Sequence, residues 1–80
     1  MTRAEIMNGL TEIFRDVFED DSLVLTEETN ANDIDDWDSL MHITILQAVQ
    51  GEFNVEFGID EITSMKNVGE MIDLVESKLK

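Results

Sequence analysis

Cysteine is absent from these 80 residues, so neither a disulfide framework nor a thiolate zinc site is open to the chain, and its apolar core alone must hold the fold. A cytosolic setting fits that. Proline is absent as well. With no internal repeat, low-complexity tract or shift of composition, nothing marks a linker, and residues 1–80 read as a single domain near the lower size at which one core folds without staples. Long apolar runs are also missing. No segment approaches the ~20 residues needed to cross a bilayer, and the opening MTRAEIMNGL lacks the uninterrupted apolar stretch of a signal peptide. The expectation is a soluble, cytoplasmic protein with no membrane span.

Positive charge is scarce. Five Lys and Arg stand against nineteen Asp and Glu, for a formal net charge of −14, which repels nucleic acid phosphates and anionic lipid. The expected partners are basic proteins, not nucleic acid. No Lys or Arg occurs between Arg15 and Lys66, so the middle of the chain is strongly negative. Self-repulsion of this size strains a compact state, and salt or divalent cations are expected to raise the melting temperature.

Amphipathic patterning is what the chain does have. Ile6, Leu10, Ile13, Phe14 and Val17 fall on one helix face, and Thr2-x-x-Glu5 has the capping-box pattern that starts a helix running to about Phe18. The following EDDSLVLTEETNANDIDDW keeps no helical period, and its Asp, Asn, Ser and Thr compete for backbone hydrogen bonds, so it reads as a long loop anchored by Leu23, Leu25 and Ile34. A second helix is predicted from Asp38 to Phe53, with Ile45, Leu46, Val49 and Phe53 on its apolar side and His42 one turn earlier. Gly51 weakens its last turn. FNVEF alternates too briefly for a strand, and Val55 and Phe57 read as residues tucking a connection onto the core.

IDEITSM, after Gly58, has room for a short third helix. Asn67-x-x-Glu70 has polar cap spacing, and Val68, Met71, Ile72, Val75 and Leu79 make the stripe of a fourth, with Lys78 and Lys80 suited to its C-terminal end. The fold class is all-α: a small bundle of three longer helices and one short one with a long first loop, each stripe covered by another.

DDWDSLMHI joins an acidic run to the second helix through a serine. Asp38 is a favoured N-cap residue, which places Ser39 in the first turn, where backbone N–H groups lack partners. As a bare tripeptide, DSL is most simply a helix start. A calcium loop beginning at Asp33 fails, because Trp37, Asp38 and Thr44 occupy the positions that need a ligand, a glycine and a glutamate; no metal site is expected. Nucleophilic catalysis would use His42, three residues from Ser39, as base. Yet His42 is the only histidine, it lies on the core side, and no glycine-rich turn offers an oxyanion hole. A partly buried structural histidine is the better account, and no catalytic residue is assigned. A third possibility makes Ser39 a point of attachment: a phosphate on its Oγ would meet unpaired N–H groups and the positive end of the helix dipole.

The order of elements, with EIFRDVF, a long loop to DDWDSL, then EFNVEFGIDEI and NVGEMIDLVESKL, resembles the acyl carrier proteins and their peptidyl and aminoacyl relatives over essentially the whole chain. That resemblance implies a four-helix bundle of acyl-carrier type, a single phosphopantetheine-carrier domain and no enzyme activity. It implies a 4′-phosphopantetheine arm on Ser39, added from coenzyme A by a magnesium-using phosphopantetheinyl transferase, with Asp38 as the motif aspartate that helps present the serine. Acyl, peptidyl or aminoacyl cargo would then ride as a thioester on the only thiol of the molecule, where no cysteine could capture it.

Leu40, Met41, Ile43 and Ile62 are the expected partner-binding residues, facing acyl or aminoacyl ligases, transferases and synthases with basic docking patches, and the carrier itself is expected to be a monomer. Two features depart from the family. Asp36 stands where a glycine usually precedes the motif aspartate by two residues, followed by Trp37, which is expected to pack on the bundle. The second helix presents Met41, Thr44, Gln47 and Gln50 where carriers of fatty acid synthesis present carboxylates. This favours a specialised polyketide, nonribosomal peptide or aminoacyl pathway over fatty acid biosynthesis. The alternative is a small acidic helical protein-interaction module with no prosthetic group.

Overall fold

The computed structural model describes residues 2–79. Helix α1, Arg3–Val17, starts with the predicted capping box: the Thr2 hydroxyl accepts the Glu5 N–H at 3.2 Å, and the Glu5 carboxylate accepts the Thr2 N–H at 2.9 Å. Two of the otherwise unpaired N–H groups of this helix end are thereby satisfied. Its buried stripe is Ile6, Leu10 and Phe14, with Ile13 and Val17 half-buried beside it. Helix α2, Ser39–Phe53, is capped by Asp38, whose carboxylate accepts the Met41 N–H at 2.9 Å. It stops at Asn54, in the left-handed conformation (φ 56°, ψ 48°) that asparagine tolerates better than most residues. Gly51 does not shorten it.

The short helix α3, Ile59–Ser64, and the last helix α4, Val68–Leu79, complete the order. Asn67 supplies the predicted polar cap, taking the Glu70 N–H at 2.8 Å. Among the described residues there is no strand. In FNVEF, Phe53 closes α2 and the rest is a connection in which Val55 is buried and the Phe57 N–H is held at 2.7 Å by the Gln50 side chain.

The stripes of α1, α2 and α4 meet in one core with Ile45, Leu46, Val49, Phe53, Val68, Met71, Ile72 and Val75 buried. Burial of each such side chain contributes about 1.5–3 kcal/mol. One expectation fails here: Leu79, assigned to the α4 stripe, is 40% exposed, because it lies one turn beyond Val75, the last residue that α4 buries in the core. Lys80 lies outside the described residues.

The long loop is fastened to the core and to α4. Leu25 is buried and Leu23 and Ile34 are half-buried, as predicted from the scarcity of other anchors. The N–H groups of Val68 and Gly69, at the start of α4, donate to Thr29 O (2.9 Å) and Glu27 O (2.8 Å), so the loop backbone completes the helix end. Gly69 permits this approach, since a Cβ there would stand 2.9 Å from Glu27 O. Arg3 adds side-chain ties to Glu27 (2.6 Å), Asp73 (2.5 Å) and Glu76 (3.4 Å), joining the start of α1 to the loop and to α4.

Candidate functional site

The loop reaches α2 through two turns, with the Trp37 N–H on Ile34 O and the Asp38 N–H on Asp36 O, both at 3.1 Å. These turns bury the Trp37 ring and leave Asp38, Ser39 and Leu40 exposed. Trp37 is 6% exposed, its ring edge-on to Phe14 with centroids 5.1 Å apart and tilted by 28° against His42 at 5.9 Å. It packs on the bundle, as expected.

Both ring nitrogens of His42 are engaged. The Trp37 indole N–H donates to Nδ1 at 3.2 Å, and since an indole nitrogen only donates, Nδ1 must be the unprotonated acceptor. The remaining hydrogen is therefore assigned to Nε2, which donates to Ile62 O at 2.9 Å. No lone pair is left for Ser39, so the serine–histidine pair does not operate as nucleophile and base. His42 is a structural bridge between the loop, α2 and α3.

Ser39, the first residue of α2, opens on a groove of about 450 Å³ between the loop, α2 and α3, within the ~300–1,000 Å³ of small-molecule sites. Trp37, Ile43, Ile62 and Met65 give it apolar walls, Ser39 and His42 contribute polar atoms, and Lys66 stands on its border. An exposed hydroxyl, an apolar trough and one cation suit an arm with a phosphodiester at one end and a mainly uncharged chain beyond it.

The four expected partner-binding residues divide. Leu40 (71% exposed) and Ile43 (45%) face outward, whereas Met41 and Ile62 are half-buried against the core. Ile59, which sequence reasoning did not single out, is 80% exposed at the start of α3. On α2, Thr44 and Gln47 are exposed while Gln50 turns back to Phe57, and Glu52 is the one carboxylate of the helix. The neutral face is therefore real, although Gln50 belongs to the scaffold. Sequence reasoning also missed the Trp37–His42 bond and Lys66. The former joins a loop residue to a helix residue, a pairing that helical periodicity does not signal.

Comparison with known proteins agrees with this geometry. The family model described as phosphopantetheine attachment site matches residues 8–75, and the chain belongs to that family, the phosphopantetheine-binding acyl carrier proteins. It is 33% identical to the acyl carrier protein of Lactobacillus acidophilus over 78 residues, covering 96% of each chain. It is 29% identical to that of Acidothermus cellulolyticus over 75 residues, covering 94% of this chain and 89% of the other. A solution NMR structure of holo acyl carrier protein from Geobacter metallireducens superposes with a TM-score of 0.84 at 49% identity, over 91% of this chain and 84% of that one. The expected fold class holds. The prosthetic group is 4′-phosphopantetheine, and the protein is an acyl carrier and not an enzyme.

Proposed function

We propose that Ser39 is the residue that carries the arm and that Asp38 helps to present it to the modifying transferase. The observation supporting this is the exposed position of Ser39 on the first turn of α2, at the lip of an apolar groove, with both nitrogens of His42 committed elsewhere. In the loading reaction the serine oxygen forms a bond to the β-phosphorus of coenzyme A and the hydroxyl proton departs. The pyrophosphate bond breaks, releasing adenosine 3′,5′-bisphosphate. The arm supplies a thiol that holds cargo as a thioester.

The test is direct. The protein is incubated with coenzyme A, magnesium and a broad-specificity phosphopantetheinyl transferase, and intact mass is recorded. One added arm in the wild type and none in Ser39→Ala is expected. An arm on Ser39→Ala overturns the assignment of that serine, and none on the folded wild type overturns it and favours an interaction module without a prosthetic group.

We further propose a specialised pathway in the cytoplasm, in which the monomeric carrier serves acyl, peptidyl or aminoacyl chemistry outside housekeeping fatty acid synthesis. Long-range attraction by a net charge of −14 draws in partners with basic patches. At short range, Leu40 and Ile43 offer apolar contact, with Met41 and Ile62 behind them, and α2 offers basic groups only Glu52. Enzymes that require several carboxylates on that helix are rejected. Slow loading by fatty acid synthase enzymes beside rapid loading by a dedicated ligase is the expected contrast, and equal rates would contradict it.

A further inference from the structure

The described cations are unequally occupied. Arg3 binds three carboxylates, Arg15 donates to Leu23 O at 2.7 Å, and Lys78 pairs with Glu61 at 3.0 Å. Among the described residues, the Lys66 ammonium has neither an ion pair nor a hydrogen bond; the one bond in which Lys66 is a donor, to the Glu70 carboxylate, uses its backbone N–H. Lys66 is exposed and borders the same groove as Ser39. Asp38 lines that groove and Asp33, Asp35 and Asp36 precede it in the chain, so a phosphodiester placed on Ser39 enters a negative neighbourhood whose groove is bordered by one uncommitted cation among the described residues.

We propose that Lys66 is a positioning residue for the prosthetic arm: its ammonium receives the phosphodiester attached at Ser39 and turns the arm along the groove toward Met65 and Ile62, away from open solvent. This rests on the assignment of Ser39 above. Three features converge on it. A phosphodiester carries a full negative charge, and among the N–H groups of the first turn beside Ser39 that of Met41 already donates to Asp38. The domain's self-repulsion makes an added anion unfavourable unless a cation meets it. A lysine, as a compact charge on a flexible stem, follows a mobile phosphate without demanding the planar geometry of arginine.

Because the chain has no cysteine, the arm thiol is a unique labelling site, and Trp37 in the groove wall is the only tryptophan. The experiment loads wild type, Lys66→Arg, Lys66→Gln and Lys66→Glu with the arm and confirms full loading by intact mass. It then records the phosphorus-31 resonance and the quenching of Trp37 by a nitroxide on the thiol, each at low and high salt. The ratio of docked to free arm is expected to fall about two- to fivefold in Lys66→Gln, the scale of an exposed ion pair. It should fall further in Lys66→Glu, return in Lys66→Arg, and decline in the wild type as salt rises. Fully loaded variants with identical phosphorus shifts, quenching and salt dependence overturn the role of Lys66 alone. A wild type that takes up no arm overturns it together with the assignment of Ser39.

Discussion

The indole nitrogen of Trp37 lies 3.2 Å from Nδ1 of His42, and the far side of the same imidazole holds Ile62 O at 2.9 Å. One side chain thus couples the end of the long loop, the first turns of α2 and the body of α3. Trp37→Phe keeps the ring contact with Phe14 but deletes the donor, leaving a partly buried ring nitrogen unpaired. A loss of about 1–3 kcal/mol in unfolding free energy is expected from chemical denaturation. A neutral result would mean that water replaces the indole without penalty.

Two glycines should respond in opposite directions to alanine. At Gly69 a new Cβ meets Glu27 O at 2.9 Å, so Gly69→Ala pushes the loop from the start of α4 and should destabilise by about 1–3 kcal/mol. At Gly51, inside α2, a Cβ meets nothing within 4 Å, so Gly51→Ala should stabilise by about 0.5–1 kcal/mol. Urea titrations of the pair with matched m-values check both signs at once.

Acid should weaken the attachment of α3. The Glu61 carboxyl is held below the ordinary carboxylate range, first by the Gly58 N–H at 2.8 Å and then by Lys78. The unfolded chain therefore takes up this proton first as pH falls, and stability declines with it. The contribution of Glu61 is complete above the unfolded value of about 4.3 and vanishes once the pH passes below the depressed folded one. Glu5 and Asp20 shift in the same direction, through Thr2 and Ser22 respectively. The difference in melting temperature between wild type and Glu61→Gln should be present at neutral pH and narrow on acidification through that window. A difference that stays constant would rule this account out.

Salt acts on two opposed terms. Screening relieves the self-repulsion of the −14 charge and also loosens the cluster of Arg3 with Glu27, Asp73 and Glu76. Repulsion is summed over nineteen carboxylates, so the melting temperature should rise as the Debye length shrinks from about 10 Å at 0.1 M toward about 3 Å at 1 M. In Arg3→Met the rise should be steeper, since the attractive term is reduced to the Lys78–Glu61 pair among the described residues. Parallel melting series for the two proteins test this, and an equal or flatter slope in the variant would count against the role of Arg3.

Much of this arrangement was legible in the sequence, for reasons particular residues make plain. Thr2, Asp38 and Asn67 are caps whose side chains act within one turn, so local spacing reveals them. Ile45, Leu46, Val49 and Phe53 declare a helix face by period alone. What stayed hidden depends on residues distant along the chain. Lys66 meets the groove of Ser39 only because α3 folds back over α2, Gly69 matters only because the Glu27 carbonyl arrives there, and His42 gains its bridge from a carbonyl twenty residues on. The turn of Gln50 toward Phe57 belongs with these. Periodicity places it outward, and a backbone N–H beyond the helix end draws it back.

Helix α3 contributes no fully buried side chain and is held by individual clasps: the imidazole of His42 on Ile62 O, and Lys78 on Glu61. Lifting it would sacrifice a few polar contacts of about 1 kcal/mol each and the half-buried packing of Ile62, while the fully buried side chains of α1, α2 and α4 stay covered by one another. A bulky guest at the end of the arm would therefore find this segment the most yielding wall of its berth, and the size of cargo tolerated would be set by how readily those clasps unfasten.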